Sequence, residues 1–315
     1  MTKFAFIFPG QGSQFIGMGK DLADNFTAAK AVFQEVDDAL DQDLSGLMWS
    51  GSDEDLKLTA NTQPALMAVS VAAMRALEQA HSIGADKAAF VAGHSLGEYS
   101  ALASVGAISV ADCARILRIR GNAMQAAVPA GQGAMAALLG ASPEQAVALC
   151  AIGAKEGPCE IANDNAPGQI VISGAKAAIE LACANAKELG IKKAVHLPVS
   201  APFHCSLMQP AADAMSEALA SIEVQAPSSP LVANVTAVAG SDAPAIRQQL
   251  VAQVTGQVRW TESVKYMAAE GVSLTIEAGA GKVLSVMNRR TVRELEGMTM
   301  GTPDEIEAVA AKLNG

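Results

Sequence analysis

A strand that turns at once into a helix is the feature of this sequence that most restricts its fold. The apolar run Ala88–Ala92 predicts a buried strand, and an Ala-rich helical stretch begins near Glu98. Only the five residues Gly93-His94-Ser95-Leu96-Gly97 connect the two. The flanking glycines allow strand and helix to approach closely, as the G-x-S-x-G elbow of α/β proteins requires. The sequence therefore predicts an α/β fold with a parallel sheet.

The N-terminus predicts a second strand of the same sheet. Phe4–Phe8 is a run of five apolar residues, and the Gly-rich turn 9–14 follows it. This turn has neither the G-x-x-x-x-G-K-[ST] spacing of a phosphate loop nor the G-x-G-x-x-G spacing of a dinucleotide site. Helical patterns follow over about 20–40 and about 64–80. Apolar residues make up 50% of the chain and aromatic residues only 4%, which favours helices packed on a parallel sheet.

Residues 128–198 have a different pattern. A strand at 134–139, a helix that begins after Ser142, a hairpin of 159–163 with 169–173, a helix over about 176–189 and a strand at 193–197 follow one another. The order βαββαβ is that of a ferredoxin-like subdomain. We therefore expect residues 128–198 to form a small insertion in a larger α/β subdomain made of 1–127 and 199–315.

Charge and cysteine content exclude several classes of protein. The net charge of −10 argues against binding of nucleic acid or of an anionic membrane surface. The sequence has no run of about 18 consecutive apolar residues free of charges, so we expect no membrane span. The five cysteines contain no C-x-x-C pair and the four histidines lack ligand spacing, so we expect no metal site. Reduced thiols are typical of a cytoplasmic protein, which is the location we expect.

Ser95 is the candidate nucleophile. At the start of a helix, free N–H groups and the helix dipole favour negative charge that develops near its oxygen. A serine needs a base, and His94 is a poor candidate because neighbouring side chains point apart across a tight turn. His204 lies in a loop beyond a strand end, where α/β sites assemble. No acidic residue stands out as a third member, so a carbonyl oxygen could orient the imidazole instead.

Arg120 is the candidate for recognition of an anion. It lies on the helical stretch that follows the elbow helix. A guanidinium binds a carboxylate through two parallel hydrogen bonds, so an arginine at this point would suit a substrate carboxylate. An arginine on a solvated helix face is the alternative.

Four motifs then occur in one order along the chain: Gly10-Gln11-Gly12-Ser13-Gln14, Gly93-His94-Ser95-Leu96-Gly97-Glu98, Arg120-Gly121 and Pro202-Phe203-His204. Together they resemble the malonyl-CoA:acyl carrier protein transacylases of type II fatty-acid synthesis and the acyltransferase domains of polyketide synthases. Asn163, Gln253 and the segment 277–284 match as well. The resemblance covers about residues 1–300 and implies an α/β-hydrolase-like core with a ferredoxin-like insertion.

The resemblance also implies roles for these positions. Ser95 would carry the malonyl group and His204 would be its base. The backbone N–H groups of Gln11 and Leu96 would form the oxyanion hole. Arg120 would bind the malonyl carboxylate in a substrate site that also includes Asn163, Phe203 and Gln253, and the backbone carbonyl of Gln253 would orient His204. No cofactor is implied, since malonyl-CoA is a substrate.

Phe203 is the residue that the resemblance connects with substrate choice. In the resembled domains, a Phe before the histidine goes with malonyl and a smaller Ser goes with methylmalonyl. A ring at this place leaves no room for a branch methyl, although one methylene is worth only about 1–3 kcal/mol.

The second substrate would be an acyl carrier protein, which is acidic. Because the chain is acidic overall, we expect a local basic surface for that partner. We call the candidates the basic surface; they are Lys192, Lys193, Lys282, Arg289 and Arg290. We expect a monomer. A serine hydrolase or thioesterase, an acyltransferase of a polyketide pathway and a non-catalytic docking module are the alternatives, and a free-standing chain of this length favours fatty-acid synthesis.

Overall fold

Over residues 2–199 and 201–315, which the computed structural model describes, strands form two separate sheets. The strands are β1 (Phe4–Phe8), β2 (Phe90–Gly93), β3 (Gly133–Leu139), β4 (Cys159–Ala166), β5 (Gln169–Ala175), β6 (Lys193–His196), β7 (Leu231–Val232), β8 (Ala239–Gly240), β9 (Leu274–Ala278) and β10 (Glu296–Met300). This mixed α/β architecture confirms the predicted fold class.

Helices lie between most of these strands. They are α1 (Lys20–Asn25), α2 (Thr27–Leu40), α3 (Leu44–Ser50), α4 (Asp53–Lys57), α5 (Thr59–His81), α6 (Gly97–Ser104), α7 (Val110–Ala126), α8 (Pro143–Gly153), α9 (Lys176–Asn185), α10 (Gln209–Ala220), α11 (Ala243–Thr255), α12 (Trp260–Ala269), α13 (Val283–Thr291) and α14 (Pro303–Asn314). Short 3₁₀ turns cover Ala85–Lys87, Ala154–Glu156 and Ser206–Met208.

The larger sheet has the order β10-β9-β1-β2-β7-β8. Its strands are parallel except β8, which pairs antiparallel with β7. All five residues of β1 and of β9 are buried, because helices cover both faces of the sheet. The carboxyl ends of β1, β2 and β9 therefore meet at one edge, where loops with special residues can come together.

The smaller sheet is antiparallel and has the order β4-β5-β3-β6. With α8 and α9 it has the chain order βαββαβ that the sequence predicts. Its strands lie within the predicted insertion 128–198, while the limits of that subdomain and of its two flanking parts stay a prediction. An apolar cluster of its own, which includes Leu138, Leu149 and Ile172, lies between this sheet and its two helices.

Two predicted helices differ from the observed ones. The stretch 20–40 forms two helices, since Phe26 is extended (φ −127°) and ends α1. Helix α5 begins at Thr59, whereas the sequence predicted a start near Pro64. The backbone N–H groups of Asn61 and Thr62 already donate to the Leu58 carbonyl. Pro64 lies inside this helix and has no N–H to donate, so α5 has one hydrogen bond fewer but continues through it.

Two further observations concern the chain as a whole. No helix within residues 2–199 and 201–315 is both long and apolar enough to cross a membrane. The cysteines Cys113, Cys150, Cys159, Cys183 and Cys205 are free thiols.

Candidate active site

Ser95 lies in the sharp turn between β2 and α6. Its φ of +53° is in the left-handed region, which costs a residue with a side chain on the order of 1–3 kcal/mol. A Cβ on Gly93 would lie 1.9 Å from the carbonyl of Gly97, and a Cβ on Gly97 would lie 2.2 Å from the carbonyl oxygen of Phe8. Both glycines are required because turn, helix and β1 touch here. The elbow thus holds Ser95 at the carboxyl edge of the sheet.

His204 is the partner of Ser95. Ser95 Oγ lies 2.8 Å from His204 Nε2. On the other side of the ring, Nδ1 lies 2.9 Å from the Gln253 carbonyl oxygen and 3.1 Å from that of Gly256. A carbonyl oxygen can only accept, so Nδ1 carries the proton and Nε2 is free to accept from the Ser95 hydroxyl. The pair is arranged for proton transfer from serine to histidine.

The imidazole of His204 is uncharged at neutral pH. Burial, and after it the charge of Arg120, lower the pKa of His204 from 6.5 to about 3. The two carbonyl acceptors act in the opposite direction, with a smaller effect. A neutral, buried imidazole is a base that is ready without prior loss of a proton.

Arg120 is buried beside the nucleophile, with only 1% of its surface exposed. Nη1 donates to Gln63 Oε1 at 2.7 Å, while Nη2 donates to Gln253 Oε1 at 2.9 Å and to Ser95 Oγ at 3.1 Å. The guanidinium carbon also lies 5.6 Å from the centre of the Tyr99 ring. A buried cation held in this way can bind an anionic group of a substrate next to the reacting oxygen.

Gln11 and Leu96, the residues predicted to form the oxyanion hole, both border the cavity of Ser95. Gln11 follows β1, and Leu96 directly follows the nucleophile. Within residues 2–199 and 201–315, neither N–H donates to a carbonyl or a side chain. Two unpaired N–H groups near a nucleophile can stabilise an oxyanion.

The cavity has a volume of about 550 Å³ and lies between the two sheets. Its wall includes Ser95, Arg120 and His204 from the larger part of the chain and Met135 and Asn163 from the smaller sheet. A volume of this size is typical of a site for a small molecule. The described part of the chain holds no group of three or more His, Cys, Asp or Glu side chains that could bind a metal ion.

The comparison with known families agrees with this geometry. The family model described as the acyl transferase domain matches residues 5–307. The chain belongs to the acyl transferase family.

Individual relatives of this acyltransferase carry more specific names. The malonyl CoA-acyl carrier protein transacylase of Bacillus subtilis (strain 168) is 45% identical over 98% of this chain and 96% of its own length. A crystal structure of the acyl-carrier-protein S-malonyltransferase from Bartonella henselae is 53% identical, covers 100% of both chains and has a TM-score of 0.97. A type II polyketide-synthase malonyl-transacylase, solved in complex with its acyl-carrier protein, is 40% identical over 99% of this chain and 100% of that chain, with a TM-score of 0.94.

The acyltransferase brings most of the sequence-predicted site residues together. Ser95, His204, Arg120, Gln11, Leu96, Asn163 and Phe203 all line the cavity. Gln253 is fully buried behind it, where it contacts Arg120 and His204 instead. His94 also lines the cavity, and its Nε2 lies 2.8 Å from Asn165 Oδ1.

The basic surface of the acyltransferase is exposed and lies away from the cavity wall. Its five residues are on two separate elements. Lys192 and Lys193 are at the start of β6, whereas Lys282, Arg289 and Arg290 are on or next to α13. Arg290 donates to the side chain of Gln169 at 3.1 Å. Glu277, at the end of β9, accepts the N–H groups that begin α13 and so fixes this helix.

Sequence reasoning missed three buried polar residues of the acyltransferase. Gln63 holds Arg120 from within α5, and Asn234 contacts the elbow from a loop after β7. Glu98 lies behind Ser95 with no exposed surface. Asn234 follows a strand end, which is a signal that could have drawn attention to it. Gln63 had no such signal, because it lies inside a long helix.

Proposed function

We propose that this acyltransferase moves a malonyl group from malonyl-CoA to the phosphopantetheine thiol of an acyl carrier protein, through an ester on Ser95. The observation that carries the proposal is the guanidinium of Arg120, buried and 3.1 Å from the nucleophilic oxygen. A carboxylate at the far end of the acyl group would pair with this cation, whereas a neutral acyl group would leave it unpaired. The names of the relatives agree.

In the loading half-reaction, Ser95 Oγ attacks the thioester carbonyl carbon while its proton passes to Nε2 of His204. The carbonyl electrons move onto oxygen and form a tetrahedral oxyanion. When this intermediate collapses, the carbon–sulfur bond breaks, and the coenzyme A sulfur takes the proton from Nε2. A malonyl ester of Ser95 and a neutral His204 remain.

The transfer half-reaction runs through the same atoms in reverse. The carrier thiol gives its proton to Nε2 of His204 and attacks the ester carbonyl carbon. Collapse breaks the bond to Ser95 Oγ, which takes the proton back. The Nδ1–H of His204 keeps its carbonyl acceptors, Gln253 and Gly256, throughout. These carbonyls stabilise the transient imidazolium, which is the task of the acid in a Ser-His-Asp triad.

The oxyanion would be stabilised by the N–H groups of Gln11 and Leu96. Leu96 is the N-cap residue of α6, so the positive end of the helix dipole acts at the same place. Preorganised donors of this kind typically contribute about 3–4 kcal/mol each to the transition state.

Arg120 has donors to spare for a malonyl carboxylate. A guanidinium has five N–H groups, and Gln63, Gln253 and Ser95 take three of them. Burial is the main cause of the low pKa of His204, and a bound carboxylate would neutralise the Arg120 charge that lowers this pKa further. His204 would then become a stronger base only when the matching substrate is present. Asn163, which also lines the cavity, would contact the bound substrate.

Phe203 would set the width of the acyl site. Its ring forms part of the cavity wall directly before His204. A branch methyl would compete with this ring for space, so malonyl would be preferred over methylmalonyl.

The basic surface would receive the acidic carrier protein. Exchange of Lys282 or Arg289 for Glu should weaken transfer to the carrier protein and leave loading from malonyl-CoA intact. Steady-state transfer and single-turnover loading, measured side by side, test this. Equal loss in both half-reactions would contradict it.

We also propose that the acyltransferase acts as a cytoplasmic monomer in fatty-acid synthesis. A polyketide pathway is the second candidate, because a solved neighbour is a type II polyketide-synthase transacylase. Turnover with carrier proteins of the two pathways, compared in one assay, would separate them.

The decisive experiment follows a labelled malonyl group. Incubation with labelled malonyl-CoA should give a stable label on the protein that then moves to a carrier protein. Ser95→Ala should abolish the label, whereas Ser104→Ala, at the end of the helix that follows the elbow and outside the cavity, should keep it. Rapid release of free malonate without transfer would favour a hydrolase and contradict the proposal.

Arg120→Ala tests the carboxylate contact. The variant should lose loading from malonyl-CoA by about 100-fold or more, the range expected for about 3 kcal/mol of charge-assisted hydrogen bonding. Loading from acetyl-CoA should fall less. Arg118→Ala, on the same helix but paired with Gln42, is the control. An unchanged preference for malonyl-CoA would remove Arg120 from the substrate site.

A further inference from the structure

Glu98 is a buried carboxylate directly behind the nucleophile. It lies in the first turn of α6, three residues after Ser95, and none of its surface is exposed. The other residues of this helix that lie near the sheet are small or apolar, so the charge is unusual there. A buried carboxylate is costly unless it is paired or hydrogen-bonded, which indicates a specific task.

One oxygen of Glu98 binds two residues that reach the active site. Oε2 accepts from the backbone N–H of Asn234 at 3.0 Å and from Nε2 of Gln253 at 2.9 Å. The side chain of Asn234 in turn spans the elbow: Oδ1 accepts the N–H of Ser95 at 2.8 Å, and Nδ2 donates to the Gly93 carbonyl at 2.6 Å. Glu98 therefore fixes the residue that holds both sides of the strained turn.

The second contact acts together with the Ser95 carbonyl and the Arg120 donors on the amide of Gln253. Oε2 of Glu98 already accepts the N–H of Asn234, so the NH₂ group of Gln253 must face it. The same NH₂ group donates to the Ser95 carbonyl at 3.0 Å. The amide oxygen is then left to accept from Arg120 at 2.9 Å. A reversed amide would place oxygen against oxygen at Glu98 and NH₂ against the guanidinium of Arg120.

We propose that Glu98 is a positioning residue for the transfer reaction, because one oxygen of its carboxyl group anchors both Gln253, which binds Arg120, and Asn234, which binds Ser95. The inference rests on the proposed function of Arg120 as the malonyl contact. Gln253 also supplies the carbonyl that holds His204, so the base, the nucleophile and the cation are connected through Glu98. Burial raises the pKa of Glu98 to about 7, and hydrogen bonds from Gln253 and Asn234 and the charge of Arg120 oppose this.

Glu98→Gln tests the inference with almost no change in shape. An uncharged amide oxygen is a weaker acceptor than a carboxylate, so the anchoring of Gln253 and Asn234 is weakened. We expect the ratio of kcat/KM for malonyl-CoA over acetyl-CoA to fall at least about tenfold. Active-site titration on Ser95 corrects for unfolded protein. A merely structural role of Glu98 would lower kcat/KM for both substrates equally and leave their ratio unchanged. Glu277→Gln, a buried carboxylate outside the cavity, is the matched control for loading.

A double-mutant cycle tests the route through Gln253. Gln253→Met removes both ends of the amide and keeps the backbone carbonyl for His204. Gln253→Met should lower the ratio of kcat/KM for malonyl-CoA over acetyl-CoA as Glu98→Gln does. In the double variant with Glu98→Gln this ratio should fall no further than in either single variant. Losses that multiply, or an unchanged ratio in Glu98→Gln, overturn the inference. A wild-type enzyme that shows no preference for malonyl-CoA would instead overturn the proposed function.

Discussion

The neutral imidazole of His204 should make the folded chain sensitive to acid. Its pKa falls from 6.5 to about 3 on folding, chiefly through burial. The unfolded chain takes up a proton near pH 6.5 that the folded chain takes up only near pH 3. The stabilising contribution is therefore complete above pH 6.5 and is lost as the pH falls toward 3. At about 1.36 kcal/mol per pH unit the full window corresponds to roughly 5 kcal/mol, and the part above pH 4.5 to roughly 3 kcal/mol.

His204→Asn isolates this contribution. Asparagine does not titrate, and its Nδ2 group can take the place of Nδ1 opposite the Gln253 carbonyl. It also tolerates the left-handed backbone of this position, where φ is +58°. The free energies of unfolding of the two proteins, measured with urea at about pH 7 and about pH 4.5, give the test. The difference between wild type and variant should shift by about 3 kcal/mol in favour of the variant at the lower pH.

The comparison is informative because every other titrating group is common to the two proteins. Equal m-values at both pH values would show that unfolding exposes the same surface in each. A difference in stability that stays constant within about 1 kcal/mol would refute the reasoning. It would mean that His204 titrates in the folded chain as it does in the unfolded one, and the neutral base of the proposed mechanism would lose its support.

Three further predictions concern the walls and supports of the site. Phe203→Ala should raise the kcat/KM of methylmalonyl-CoA relative to malonyl-CoA by about tenfold or more, and an unchanged ratio in a competition assay would show that the ring does not limit the acyl group. Gly97→Ala should lower the free energy of unfolding by at least about 2 kcal/mol and abolish labelling of Ser95, because the added Cβ would meet the Phe8 carbonyl; normal labelling would argue against the elbow. Glu277→Ala should lower the free energy of unfolding by about 1–2 kcal/mol, since it leaves two N–H groups at the start of α13 unpaired. An unchanged midpoint of urea unfolding would contradict this.

Local sequence was sufficient for most strands and for the elbow that carries the candidate nucleophile. The run Phe4–Phe8 forms β1 as predicted, because five consecutive apolar residues beside a Gly-rich turn fit a strand buried on both faces. The glycines around Ser95 fit a strand–helix corner for a reason that acts within five residues, namely the space that a Cβ would need. Periodicity failed at 20–40, since the chain is extended at Phe26 and no Gly or Pro marks this break in the sequence.

The sequence by itself thus determined the fold class, the elbow and the candidate partners His204 and Arg120. Only the tertiary structure decided how these residues act. It places the carbonyls of Gln253 and Gly256 where a triad acid would stand, and it buries His204 so that its pKa falls. Asn234 reaches the elbow across 139 residues of sequence. Burial and contacts between distant segments produce these effects, and neither has a local signature in the order of the amino acids.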